Sequence, residues 1–141
     1  MAVVIRSYQA ADYQAVRTLI ESVLTEFGFT FALGGLQQDL NEISARYGTQ
    51  RAGFWVAEAA GSLVGTVAIR PKAERTCELK RLYLAPQWRG QGLGQTLYAH
   101  AESFASTFIA GVGGVTTNAI AAASGVAQNL FAPSSHVVIA S

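Results

Sequence analysis

Cys77-Glu78-Leu79-Lys80-Arg81-Leu82-Tyr83-Leu84-Ala85-Pro86-Gln87-Trp88-Arg89-Gly90-Gln91-Gly92-Leu93-Gly94 is the stretch on which the reading of this chain turns. Thr76 to Leu84 alternates apolar and polar residues as a strand does, and Ala85-Pro86 closes it, because proline cannot donate to a ladder. From Leu93 onward Leu97, Ala101, Phe104 and Phe108 fall on one helical stripe. Between them lies the glycine turn. Successive glycines at a helix start let the backbone approach a ligand closely and leave N–H groups pointing outward. With the helix dipole those donors form an anion site suited to a pyrophosphate, and Arg89 at its entrance adds a cationic fork.

Upstream, Val3 to Ser7 reads as a short strand. Asp12 is placed to cap a helix whose apolar positions Val16, Leu19, Ile20, Val23, Leu24 and Phe27 keep the 3.6-residue period until Gly28 stops it. A weaker helix covers about Leu36 to Tyr47. Gly53 to Ala59 and Ser62 to Arg70 form a hairpin around Gly61, and Pro71 ends its second strand. Downstream, Phe108 to Val115 reads as a strand, Asn118 to Phe131 as a helix and His136 to Ala140 as a last strand. The order β-α-α-β-β-β-α-β-α-β predicts an α+β fold, a mostly antiparallel sheet flanked by helices.

The chain has 141 residues, enough for one domain, and half of them are hydrophobic. Ten basic against nine acidic residues give a net charge of +1. That balance offers no cationic surplus to displace counterions, which argues against nucleic acid as partner. The single cysteine, Cys77, excludes an internal disulfide and suits a reducing compartment. No signal peptide and no apolar run near the ~20 residues of a bilayer span is visible, so the expectation is a cytoplasmic protein away from membranes. All nineteen charges lie between Arg6 and Glu102, and the thirty-nine residues from Ser103 to Ser141 carry none. Surfaces ordinarily need charge. The uncharged tail reads either as a segment buried in a homodimer interface or as a replaced, frame-shifted C-terminus.

The phosphate ligand is narrowed by what is missing. A Walker loop ends in Gly-Lys-Ser/Thr, and here Gly94-Gln95-Thr96 stands. A Rossmann turn follows a buried hydrophobic strand early in a βαβ unit, whereas Glu78 to Leu84 is alternating, charged and last in a meander. The stretch instead resembles motif A of the GNAT superfamily of N-acetyltransferases, with Arg/Gln-x-x-Gly-x-Gly/Ala falling on Arg89, Gly92 and Gly94. The resemblance is sharp from Glu78 to Leu97, and residues 1–104 follow the family's element order in a single domain spanning 1–141. It implies acetyl-CoA as co-substrate, bound where the fourth and fifth strands splay apart. Backbone N–H groups of Gln91, Gly92, Leu93 and Gly94, with Gly90 in the same turn, would hold the pyrophosphate. The backbone of Leu82, Tyr83 and Leu84 would pair with the pantetheine arm.

The activity so implied is transfer of an acetyl group to a primary amine of a small molecule or peptide by direct attack. Glu78 is the candidate base, by analogy with relatives that carry an acid on this strand; its alternative is a surface pair with Lys80 or Arg81. By simple alternation Tyr83 faces the opposite side of the strand from Glu78 and packs. Trp88 either covers the cofactor or stands exposed. His100 reads as a solvated helix residue and Cys77 as buried rather than nucleophilic; no metal-ligand cluster is present. The tail departs from the family. In Ser124-Gly125-Val126-Ala127-Gln128-Asn129-Leu130-Phe131, a loose echo of Asn-x-x-Ala-x-x-Leu-Tyr, Phe131 replaces the tyrosine that protonates the leaving thiolate. A phenyl ring donates no proton. The alternative reading is therefore an acetyl-CoA-binding module that is catalytically weak or inactive.

Overall fold

The computed structural model describes residues 2–26, 42–48, 52–73, 76–105 and 137–140, with side chains described for all of these except 71–73, 76–78 and 137–140. Strand β1 (Val3–Ser7) leads through a short 3-10 turn into helix α1 (Tyr13–Glu26), and α2 (Ile43–Tyr47) follows. The meander β2 (Gly53–Ala59), β3 (Ser62–Ala73) and β4 (Thr76–Leu84) leads to α3 (Leu93–Ala105), and β5 (Val137–Ala140) is the last strand. The sheet order is β1-β2-β3-β4-β5 and every pairing is antiparallel. The expected α+β architecture is present. The expected strand at 108–115 and helix at 118–131 lie outside the described residues, as do Phe27, Gly28 and the first part of the second helix.

Neighbouring residues of β2 show how the two faces of the sheet are filled. Phe54 is wedged edge-on between Tyr8 and Tyr47 of α2, with centroids 5.5 and 5.4 Å away. Trp55 points to the other face and meets Phe104 of α3 at 5.0 Å and His100 at 5.4 Å. Such T-shaped pairs are favoured by the ring quadrupoles. His100 therefore leans on an aromatic neighbour although it remains exposed. Helix α1 buries Val16, Leu19, Ile20, Val23 and Leu24, the stripe its period predicts. Helix α3 buries Leu93, Gly94, Leu97, Tyr98, Ala101 and Ala105. It comes close to the sheet because Gly65 of β3 has no side chain: a Cβ there would lie 2.9 Å from Leu97 Cδ1 and 3.0 Å from Leu84 Cδ2.

Two local expectations are corrected. Pro71 does not end β3, which runs on to Ala73. Among the described residues pairing with β2 stops at Ile69, and the β3–β4 register shifts between Pro71 and Ala73, an irregularity of the kind at which a strand accommodates proline. Asp12 does not cap α1 forward. Its carboxylate reaches back to the Gln9 N–H at 2.8 Å and takes both Nη1 and Nη2 of Arg6, at 2.8 and 2.9 Å. Arg6 also donates from Nε to Glu58 at 3.1 Å, which ties the entrance of α1 to the β1–β2 ribbon.

The bonds from Arg6 hold the Asp12 carboxyl below the ordinary carboxylate range; partial burial opposes this, and the Gln9 N–H adds to it. A carboxyl with a depressed folded-state pKa contributes stability above its unfolded value of about 3.9, and the contribution is lost as pH falls through the folded value. Asp12→Asn should be less stable than wild type by on the order of 1 kcal/mol at neutral pH. The gap should narrow as pH is lowered from neutral to about 3. Denaturant titration at both pH values measures it, and a gap that does not change with pH would deny the pair this role.

Candidate functional site

Strand β4 does not run straight. Thr66 pairs with Tyr83 but Ala68 pairs with Lys80, so Arg81 and Leu82 together oppose Val67. This is a β-bulge, and its first residue, Arg81, takes φ +57°, a left-handed conformation more usual for glycine. Such a conformation costs a non-glycine residue roughly 1–3 kcal/mol and persists only where its surroundings hold it. Here the fully buried Thr66 donates its hydroxyl to the Arg81 carbonyl at 2.8 Å. Arg81 is only 4% exposed and brings Nη1 to 3.5 Å from the Tyr83 hydroxyl.

The bulge overturns the alternation argument. Tyr83 pairs with Thr66 and Glu78 with Arg70, and on β3 those partners are four residues apart, hence on one face. The extra residue shifts the register by one, so positions 78 and 83 fall on the same face of the sheet. Glu78 stands in β4 between Arg70 of β3 and Val138 of β5; its side chain and that of Cys77 lie outside the described residues. Among the described residues the β4–β5 ladder covers Thr76 to Leu79. At the other end of β4, Ala85 donates its N–H to the Val64 carbonyl at 2.9 Å. Gly65 and Leu84 are therefore a non-hydrogen-bonded pair, and the Leu84 N–H and C=O face the outer edge of the strand.

The glycine turn follows the short 3-10 segment Pro86–Trp88. Gly90 and Gly92 have φ of +74° and +87°, and an added Cβ would meet nothing within 4 Å at either. Glycine is thus required there by the backbone and not by crowding, and the space above the turn is open. The Gly92 carbonyl accepts the first helical bond of α3, from the Thr96 N–H at 3.1 Å, and the Thr96 hydroxyl at 3.0 Å. The N–H groups of Leu93, Gly94 and Gln95 accordingly belong to the unsatisfied first turn of the helix. Gln91 reaches back from Nε2 to the Gln87 carbonyl at 2.7 Å. Trp88 is half-buried and, with Gln91, Gly92, Leu93 and Thr96, borders a cavity of about 310 Å³ that Val3 and Ile5 complete.

Arg89 is placed differently from the sequence expectation of a fork held over the turn. Its Nη1 and Nη2 donate to Oε2 and Oε1 of Glu26 at 2.8 and 3.0 Å, and Nη2 also donates to the Leu84 carbonyl at 3.0 Å. Sequence reasoning missed Glu26, which is sixty-three positions away, and it missed the bulge. A left-handed residue is usually announced by glycine, and here arginine occupies it.

Comparison with known proteins agrees with this fold. The profile of the Acetyltransferase (GNAT) family matches residues 17–131, past the end of α3. The chain is 40% identical over 76 residues to mouse (Mus musculus) N-acetyltransferase 8, half of this chain and 34% of that protein, so it spans about a third of that relative's length. Among solved structures it is similar to an acetyltransferase of the GNAT family from Staphylococcus aureus Mu50, with TM-score 0.69 and 22% identity over 75% of this chain and 67% of that one. It is also similar to the PaiA N-acetyltransferase of Thermoplasma acidophilum, solved in complex with coenzyme A, with TM-score 0.58 and 21% identity over 76% and 74%.

If the Thr66 hydroxyl holds the bulge, Thr66→Val, which keeps the shape and removes the donor, should cost about 1–3 kcal/mol. Thr66→Ser should stay close to wild type. Urea denaturation decides it: a Thr66→Val cost within about 0.5 kcal/mol would show that the bulge stands without that bond.

Proposed function

Since the chain belongs to the acetyltransferase (GNAT) family, we propose that it transfers an acetyl group from acetyl-CoA to a primary amine of a small molecule or peptide. The observation that carries the reading is the strand–turn–helix itself. Gly90 and Gly92 hold left-handed backbone under open space, at the N-terminus of a thirteen-residue helix. A pyrophosphate fits there on elementary grounds: outward N–H groups, a favourable dipole and no side chain in the way. In this reading the backbone from Gln91 to Gly94 holds the pyrophosphate, and the outer edge of β4 at Leu82–Leu84 pairs with the pantetheine arm as an added strand would.

Glu78 lies six residues upstream of Leu84, roughly 20 Å of extended strand. The phosphate end and the base thus sit at opposite ends of β4. Glu78 takes the proton from the acceptor ammonium, and the freed lone pair attacks the thioester carbonyl carbon. A C–N bond forms, backbone N–H donors stabilise the oxyanion, and its collapse breaks the C–S bond. As it collapses the nitrogen gives up its second proton and the thiolate takes one, relayed by water or another group, since Phe131 stands at the position that resembles the family's tyrosine and a phenyl ring donates no proton. That substitution favours one second reading, a module that binds acetyl-CoA and turns over poorly.

Titration calorimetry with acetyl-CoA, CoA and ATP tests the cleft. Binding by acetyl-CoA and CoA in the micromolar range, a standard free energy near −8 kcal/mol, is expected, with none by ATP. A folded chain that binds none of them overturns the proposal. Gly92→Ala should leave the fold in place and weaken CoA binding by about tenfold, because the turn must abandon its left-handed residue. Against an amine panel, Glu78→Gln should lower kcat by about 10²-fold or more, with the KM for acetyl-CoA little changed. Equal kcat would return Glu78 to the strand surface, and CoA binding without turnover on any amine would establish the second reading.

A further inference from the structure

We propose that Glu26 is a positioning residue for the pyrophosphate end of the donor, acting through Arg89; the inference rests on the acyl-CoA reading above. An arginine at the lip of a phosphate turn is expected to serve as a cationic ligand. In this fold its planar fork is committed elsewhere. Both oxygens of Glu26 accept from it, at 2.8 and 3.0 Å, and the Leu84 carbonyl accepts a third bond at 3.0 Å. The Arg89 side chain is only 12% exposed, whereas Glu26 reaches it from the surface at 37%, so the guanidinium end of the pair is shielded and the fork geometry is bidentate.

The three anchors are the last residue of α1, the last residue of β4 and the residue that opens the glycine turn. Arg89 therefore joins two elements that are remote in sequence to the one segment whose backbone must hold an anion. Its own N–H is bound to the Pro86 carbonyl at 3.3 Å. What it supplies is a turn already in shape, with the Leu93 and Gly94 donors aimed before the ligand arrives. Preorganisation of this kind raises affinity by lowering the ordering cost of binding.

The alternative role gives the opposite sign. If Arg89 were a direct phosphate ligand, Glu26 would compete with the pyrophosphate for the same fork and repel it by charge. Removing the carboxylate would then tighten binding. If Glu26 holds the turn, removing it loosens binding, and only for donors that carry the pyrophosphate.

The experiment measures affinity for CoA and for pantetheine, which lacks the pyrophosphate, in wild type, Glu26→Gln, Arg89→Gln and the double variant, with thermal melting to verify folding. Glu26→Gln should weaken CoA about 5- to 10-fold and leave pantetheine unchanged. In the Arg89→Gln background it should have no further effect, since the two act as a unit. Unchanged or tighter CoA binding by folded Glu26→Gln would overturn the inference, as would equal weakening of CoA and pantetheine. A wild-type chain that binds neither ligand fails the acyl-CoA reading itself, whereas wild-type binding with a gain in Glu26→Gln fails this inference alone.

Discussion

The bond from the Thr66 hydroxyl to the Arg81 carbonyl, 2.8 Å long and buried, holds the one left-handed residue of β4. The layout of the site depends on it. One extra residue at Arg81–Leu82 shifts the register of β4 by one. Upstream of that point position 78 takes the face that Tyr83 takes downstream, and Leu84 is delivered to the α3 side beside Gly65. Without the bulge every side chain on one half of the strand would change faces. The conformational cost at Arg81 is offset by this bond and by the close packing around it.

The turn depends in the same way on the packing behind it. A helix N-terminus can offer its donors to a ligand only if the helix is fixed, and α3 is fixed by the fully buried Leu97 and Ala101. Leu97 comes within reach of the sheet because Gly65 leaves room for it. Aromatic contacts from Trp55 to His100 and Phe104 hold the far end of the helix. The open space over Gly90 and Gly92 is thus bordered by a rigid floor, which is what a site on backbone donors requires.

Much of the fold was legible along the chain. The boundaries of β1, β2 and β4 follow from alternation and from their flanking turn residues, and the buried stripe of α1 follows from its 3.6-residue period. The glycine turn was legible because left-handed backbone at a helix start leaves a mark in composition. Where the sequence misled, the cause is local and physical. Pro71 reads as a stop because proline removes a donor, but among the described residues β3 has no β2 partner beyond Ile69 to take that donor. Asp12 reads as a forward cap, yet Arg6 of β1, six residues upstream, turns its carboxylate back.

By itself the sequence determined the order of the described elements, the glycine turn and the family to which the chain belongs, because each is written in residues that are neighbours or keep a short period. Only the tertiary structure decided which face of β4 carries which residue and where the Arg89 fork is held. The bulge arises from pairing between strands, with no glycine to announce it, and Glu26 meets Arg89 across sixty-three positions. Periodicity records a residue's relation to its own element. Partners brought together by folding leave no such record, so the charge that Arg89 displays in the sequence is, in the folded chain, already matched by Glu26.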